Sequence, residues 1–176
     1  MAMTAAQLTT FKADIQANAN QTVIDALAVG DAGVIASWYN LDVSPDYWIL
    51  RDDVPSQEIA NAINLQNMAD ITTADSGRAV QFFQIRAVNG GGFHGSNASD
   101  RTAWDDVFSS AAGDESQQAI AALWQRTATN VERVFAAGAG GAGTSDGSSS
   151  ANADITTFQG SVSSADVAAS NYTHGV

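Results

Sequence analysis

Asp114–Phe135 reads DESQQAIAALWQRTATNVERVF, and Ala136–Val176 follows as AAGAGGAGTSDGSSSANADITTFQGSVSSADVAASNYTHGV. The first stretch places Ile120, Leu123, Trp124, Thr127, Val131, Val134 and Phe135 at the three-and-four spacing of a buried helical stripe. Asp114 stands where a cap belongs, Gln117 takes the capping-box position, and Gly138 supplies a stop. The spacing predicts one amphipathic helix over 114–135. The second stretch is mostly Gly, Ala, Ser, Thr and Asn, with isolated Ile155, Phe158, Val162, Val167 and Tyr172. Alone, such a segment cannot bury enough apolar surface to offset the entropy of ordering it.

The division that follows is a helical body over 1–137 and a C-terminal arm over 138–176 that docks on neighbouring subunits. Within the arm, Ile155–Phe158 reads as a brief strand and Ser164–Ala169 as a helical turn. Ile155, Phe158, Val162 and Val167 are the candidate partner-binding residues there, seated in another chain by strand addition. Fully extended, about forty residues reach about 130 Å, enough for one or two neighbours.

Upstream, Thr4–Ala19 reads as a helix capped by Thr4, with Leu8, Phe11 and Ile15 on one face. A second helix is expected from a Thr22 cap to Gly30, and a third from an Asp31 cap to Asn40. Pro45 and Pro55 then bracket Tyr47-Trp48-Ile49-Leu50, a short extended or hairpin element. Pro55 opens a helix carrying Ile59 and Ile63. Asp70–Ser76 reads as a polar link. Arg78–Val88 is apolar around most of its circumference, which predicts a central core helix. Asn89–Asp100 reads as a Gly-rich loop, and Arg101–Ser110 as a short helix with Trp104, Val107 and Phe108 on one face. The fold class expected is mainly α: a helical bundle body, a short extended or hairpin element, and a long extended arm.

Charged residues make up 15% of the chain, low for a soluble domain, and Lys12 is the only lysine. Either much of the surface is shared with neighbours, or the composition reflects a bias towards Ala and Asp. The net charge of −12 opposes electrostatic capture of nucleic acid. It permits an acidic wall past which a duplex slides without binding. With no cysteine, disulfides, thiol nucleophiles and cysteine-held zinc drop out. No run approaches a membrane span and no signal pattern opens the chain, so folding in a cytoplasm is expected.

Catalytic groups are few. His94 lies near Ser99 and Asp100, but nothing orders the three as base, nucleophile and orienter, and a loop histidine is the plain reading. A small hydrolase using this loop stays as an alternative. Gly90-Gly91-Gly92 lacks the Gly-Lys-Ser/Thr of a phosphate loop and reads as a bend, or as a loop remodelled on docking. Asp52-Asp53 and Asp105-Asp106 are adjacent acids that point to different sides, so capping and solvation explain them better than a divalent ion. No catalytic residue, cofactor or metal site is therefore assigned. Arg78 and Arg86, like Arg126 and Arg133, recur two turns apart, and each can meet a carboxylate within or between subunits. Trp104 and Trp124 read as core. Tyr47 and Trp48 are candidates for core or for a partner-binding anchor, the latter serving also a stand-alone binding module.

Several phrases together resemble tailed-bacteriophage structural proteins: LTTFKADIQANANQTVIDALAVGDAGVIASWYN from Leu8, YWILRDDVPSQEIANAI from Tyr47 and RAVQFFQIRAV from Arg78. The Arg101–Phe108 block, LWQRTATNVERVFAAG from Leu123 and FQGSVSSADV from Phe158 continue the likeness. The family resembled is the head-to-tail connector, the adaptor or neck protein. The resemblance implies a helical subunit in a homo-oligomeric ring of about a dozen copies. It also implies portal protein and tail or neck proteins as partners, and duplex DNA passing through the lumen without specific binding. Localisation would be the virion neck, after assembly in the host cytoplasm. Another phage subunit (minor head, head-completion or tail-terminator protein) is the alternative within the same class.

Overall fold

The structure is a computed structural model that describes residues 3–88, 93–108, 114–138, 140–141 and 153–170. The architecture is mainly α, with two small antiparallel sheets. The chain forms two compact units: Met1–Tyr47 with Thr127–Ala137 and Thr156–Val176, and Trp48–Arg126 with Gly138–Ile155.

In the first unit, α1 (Ala5–Ala17) starts at a reciprocal cap. Thr4 Oγ1 accepts from the Gln7 N–H at 3.2 Å, and Gln7 Oε1 accepts from the Thr4 N–H at 2.8 Å. Helix α2 (Gln21–Val29) is capped by Asn20 rather than Thr22, because Asn20 Oδ1 already accepts from the Thr22 N–H at 3.0 Å. It ends at Gly30, whose φ of +73° is the left-handed stop glycine allows. Asp31 caps α3 (Ala32–Tyr39), accepting from the Gly33 and Val34 N–H groups at 3.0 Å each.

The second unit begins with β1 (Trp48–Leu50), α4 (Ser56–Ala62), α5 (Leu65–Asp70) and α6 (Thr73–Val88). It continues with α7 (Ala98–Phe108), α8 (Asp114–Leu123) and β2 (Gln125–Thr127), which pairs with β1. Its core holds Val54, Ile59, Phe93, Trp104, Phe108, Ile120 and Trp124. The Trp104 and Phe108 rings stack 5.6 Å apart. Helix α5 was not expected and meets the expected polar link only at Asp70: Asn64 caps it, and Asn67 Oδ1 accepts from Ser116 N and Oγ at 3.0 and 2.8 Å. Helix α6 starts at Thr73, five residues before the expected Arg78. Ala79 is buried, whereas Val80, Gln81 and Gln84 are exposed, so this helix is not wrapped by core along the part described.

The expected helix over 114–135 is broken. After α8 the chain runs through β2 and restarts as α9 (Asn130–Val134). The backbone donors that would have continued the helix go elsewhere: Ala128 N–H to Tyr47 O at 2.7 Å, and Asn130 N–H to Leu41 O at 2.9 Å. Thr129 and Glu132 then form a capping box that starts α9 afresh.

A larger correction concerns the arm. Ile155–Thr156 form β4, paired with β3 (Ala136–Ala137), and Ser164–Ala169 form α10 with a Ser163–Asp166 capping box. Phe158, Val162 and Val167 are buried at 5%, 4% and 0% exposure in the core of their own unit, with Phe11, Ile15, Ile35, Tyr39 and Val131. Polar bonds stitch the segment down. Asn40 Nδ2 donates to Val162 O and Asn40 Oδ1 accepts from Val162 N–H, both at 2.8 Å. Gln7 Nε2 donates to Thr157 O at 2.8 Å, and the Gly160 N–H donates to Glu132 Oε1 at 2.9 Å. The sparse apolar residues do borrow a surface, and α1, α3 and α9 of the same chain supply it. The rest of the expected arm, apart from 138 and 140–141, lies outside the described residues.

Candidate assembly surfaces

Of the six candidate partner-binding residues, three are spent on the chain's own core. Phe158, Val162 and Val167 are closed off, the Phe158 ring lying 5.5 Å from that of Phe135. Ile155 is open, at 47% exposure. Tyr47 and Trp48 are half-buried. The Tyr47 ring carries the Arg133 guanidinium 5.6 Å from its centroid. The Trp48 backbone is paired on both sides, donating to Gly140 O at 2.8 Å and accepting from the Asp154 N–H at 2.9 Å. Tyr47 and Trp48 therefore belong to different units, although sequence places them side by side.

Around the groups considered for catalysis the recorded bonds are local, and Asp100 is buried at 1% exposure. His94 is exposed, with Nδ1 2.6 Å from Asp52 O. Ser96 Oγ donates to Asp52 Oδ1, and the Ser99 N–H donates to Asn97 Oδ1 at 2.9 Å. Gly95 is pressed so close to Arg51 O and Trp124 O that a Cβ there would lie 2.7 and 2.9 Å from them. Only glycine fits that crossing. Gly90, Gly91, Gly92 and His174 lie outside the described residues. Among the described residues no group of three or more His, Asp or Glu side chains is placed to hold a metal ion.

Two arginines pair locally. Arg51 meets Glu58 at 3.0 Å and Asp53 at 3.5 Å, and Arg78 meets Asp75 at 3.2 Å. Burial pushes the Asp105 carboxyl above its ordinary range. The Gln117 amide, donating to it at 3.3 Å, and the Arg101 charge oppose the rise, and Asp106 adds to it. Burial also lowers Arg101, which donates to Gly95 O.

The surface that sequence reading missed lies on the second unit. Helices α4, α5 and α6 flank an open groove of about 320 Å³ lined by Ala60, Ile63, Leu65, Met68, Ala79, Val80 and Gln84. Leu65 is 83% exposed and Val80 48% exposed, the first being the most exposed large apolar side chain among the described residues. Among the described residues no charged side chain lines the groove. The signal was weak in sequence, because the lining is assembled from three separate helices, of which α5 was not expected. No helix among the described residues is long and apolar enough to cross a membrane. No family model, curated protein or solved structure matches the chain.

Proposed function

We propose that the chain is a structural subunit that works as copies assembled side by side, of the head-to-tail connector kind, joining portal to tail in a virion and bounding the path of the DNA. The observation that carries the assembly part is the uncharged groove on a chain of net charge −12. Two such chains repel over most of their surfaces. A groove whose described lining holds no acid, with Leu65 and Val80 exposed, is where a second copy can press without opposing charges, burying apolar area as it does. The acidic balance suits a duplex that must pass without sticking, and the phrase-level likeness to connector proteins supplies the setting. The segment over 156–170 has no part in the docking, being a component of its own unit.

The Leu65→Asp, Val80→Asp double variant tests this. Both side chains stand in solvent, so the unit keeps its fold, which circular dichroism checks. The expected result is loss of the oligomer in sedimentation velocity at concentrations where the unaltered chain assembles. An unaltered mass distribution would remove the groove from the assembly.

A further inference from the structure

Arg133 differs from Arg51 and Arg78 in having no carboxylate within ion-pair reach among the described residues, although acids outnumber bases 19 to 7 along the chain. Among the described residues its side chain stacks on the Tyr47 ring. Stacking of this kind fixes the guanidinium plane and leaves its N–H edge open for a planar acceptor.

Arg133 also lines a polar cleft of about 610 Å³ within the first unit. Its walls carry Asp14, Asn18, Asn20, Trp38, Tyr39 and Asn130. Most of these polar groups are already engaged. Tyr39 Oη donates to Asp14 Oδ2 at 2.5 Å and accepts from Asn18 Nδ2 at 3.0 Å. Asn18 Oδ1 accepts from the Asn20 N–H at 2.9 Å, and Asn20 Oδ1 from the Thr22 N–H at 3.0 Å. Asn130 Nδ2 donates to Trp38 O at 3.0 Å. Burial, then the bond to Asp14, hold the Tyr39 phenol protonated well above its ordinary range, so it remains a donor turned onto Asp14. With those bonds made, the open donors of the cleft are the guanidinium fork of Arg133 and the amide of Asn20, with Asp14 Oδ1 and Asn130 Oδ1 as acceptors in the same lining. The stacked arginine, its planar fork presenting paired N–H donors, matches a carboxylate.

We propose that this cleft is a carboxylate-binding site, and that the carboxylate it takes is an Asp or Glu side chain of a second copy of this chain. The choice of occupant rests on the assembly reading above and on charge. A chain with 19 acids offers a carboxylate on almost any face it presents to a neighbour, and Arg133 is an exposed cation left without one. The bond also lowers the repulsion that assembly of such chains must overcome.

Two measurements on the full chain test it. Titration of N-acetyl-aspartate, followed by the Asn18 and Asn20 side-chain amide resonances, should show saturable shifts that Arg133→Gln abolishes. Sedimentation should show that Arg133→Gln raises the concentration for half-assembly about tenfold at low salt, that Arg133→Lys recovers part of the loss, and that added salt strengthens assembly more steeply in the Gln variant, which has lost the pair that salt weakens. Shifts that survive in the Gln variant, or no shifts, overturn the site. Shifts confined to wild type with assembly indifferent to Arg133→Gln overturn the second copy as occupant. In that case the groove reading stands, because the Leu65 and Val80 variant reports on it separately; a chain that never assembles brings down both.

Discussion

Glu132 shows how one side chain joins distant parts of the first unit. It is 1% exposed, and its oxygens accept from the Thr129 N–H at 3.0 Å and from the Gly160 N–H at 2.9 Å. One bond starts α9 and the other holds the C-terminal segment. Glu132→Ala strands both donors and should cost about 2–3 kcal/mol in urea unfolding; a loss under half of that would remove Glu132 from this role. Asp105 gives a test with a pH sign. Its folded pKa is raised, so the ionised form destabilises the fold at neutral pH and the strain is relieved as pH falls through that raised value. Asp105→Asn should therefore be the more stable protein at pH 7, with the advantage shrinking on acidification. An advantage that grew as pH fell would contradict the burial argument. Residues of this scale were partly legible: Thr4, Gly30 and Asp31 announce themselves because capping is local. Glu132 was hidden, since Thr129-x-x-Glu132 lay inside a stretch whose apolar spacing already read as continuous helix.

At the scale of elements, the C-terminal segment carries the sharpest lesson. Its composition rightly implied that it cannot fold alone, but composition does not say whose surface it borrows. Asn40, which reads as a helix end, turns out to pair with both backbone groups of Val162. Phe158→Ala should cost about 3–5 kcal/mol, as removal of a buried ring does. Truncation after Gly143 should leave the first unit unfolded or molten by near-ultraviolet circular dichroism. A truncated chain with full cooperative unfolding would show the segment to be dispensable. The break in 114–135 was illegible for a different reason: the three-and-four spacing of Ile120, Leu123, Trp124 and Val131 survives across β2, while the competing partners, Leu41 and Tyr47, lie some eighty residues upstream. Long-range backbone pairing overrides local periodicity, and no local signal reports it. The groove and the Arg133 cleft were out of reach on the same ground, each gathering residues from separate elements.

At the scale of the whole molecule, charge decides what kinds of contact are open. A chain at −12 meets its own kind only where acids are absent or answered by a cation. The first condition describes the α4–α5–α6 groove, and the second describes Arg133. Because the repulsion is screened by salt while apolar burial is not, assembly through the groove should strengthen as sodium chloride rises from about 0.05 M to 0.5 M. Assembly that vanished at the higher salt would place the contact on ion pairs alone. The most direct test of the account is native mass measurement of the purified full-length chain over a range of concentrations, alone and with a candidate portal ring. The prediction is discrete multiples of the 18.2 kDa chain, or their appearance on the portal. A species of 18.2 kDa under every one of these conditions would contradict it.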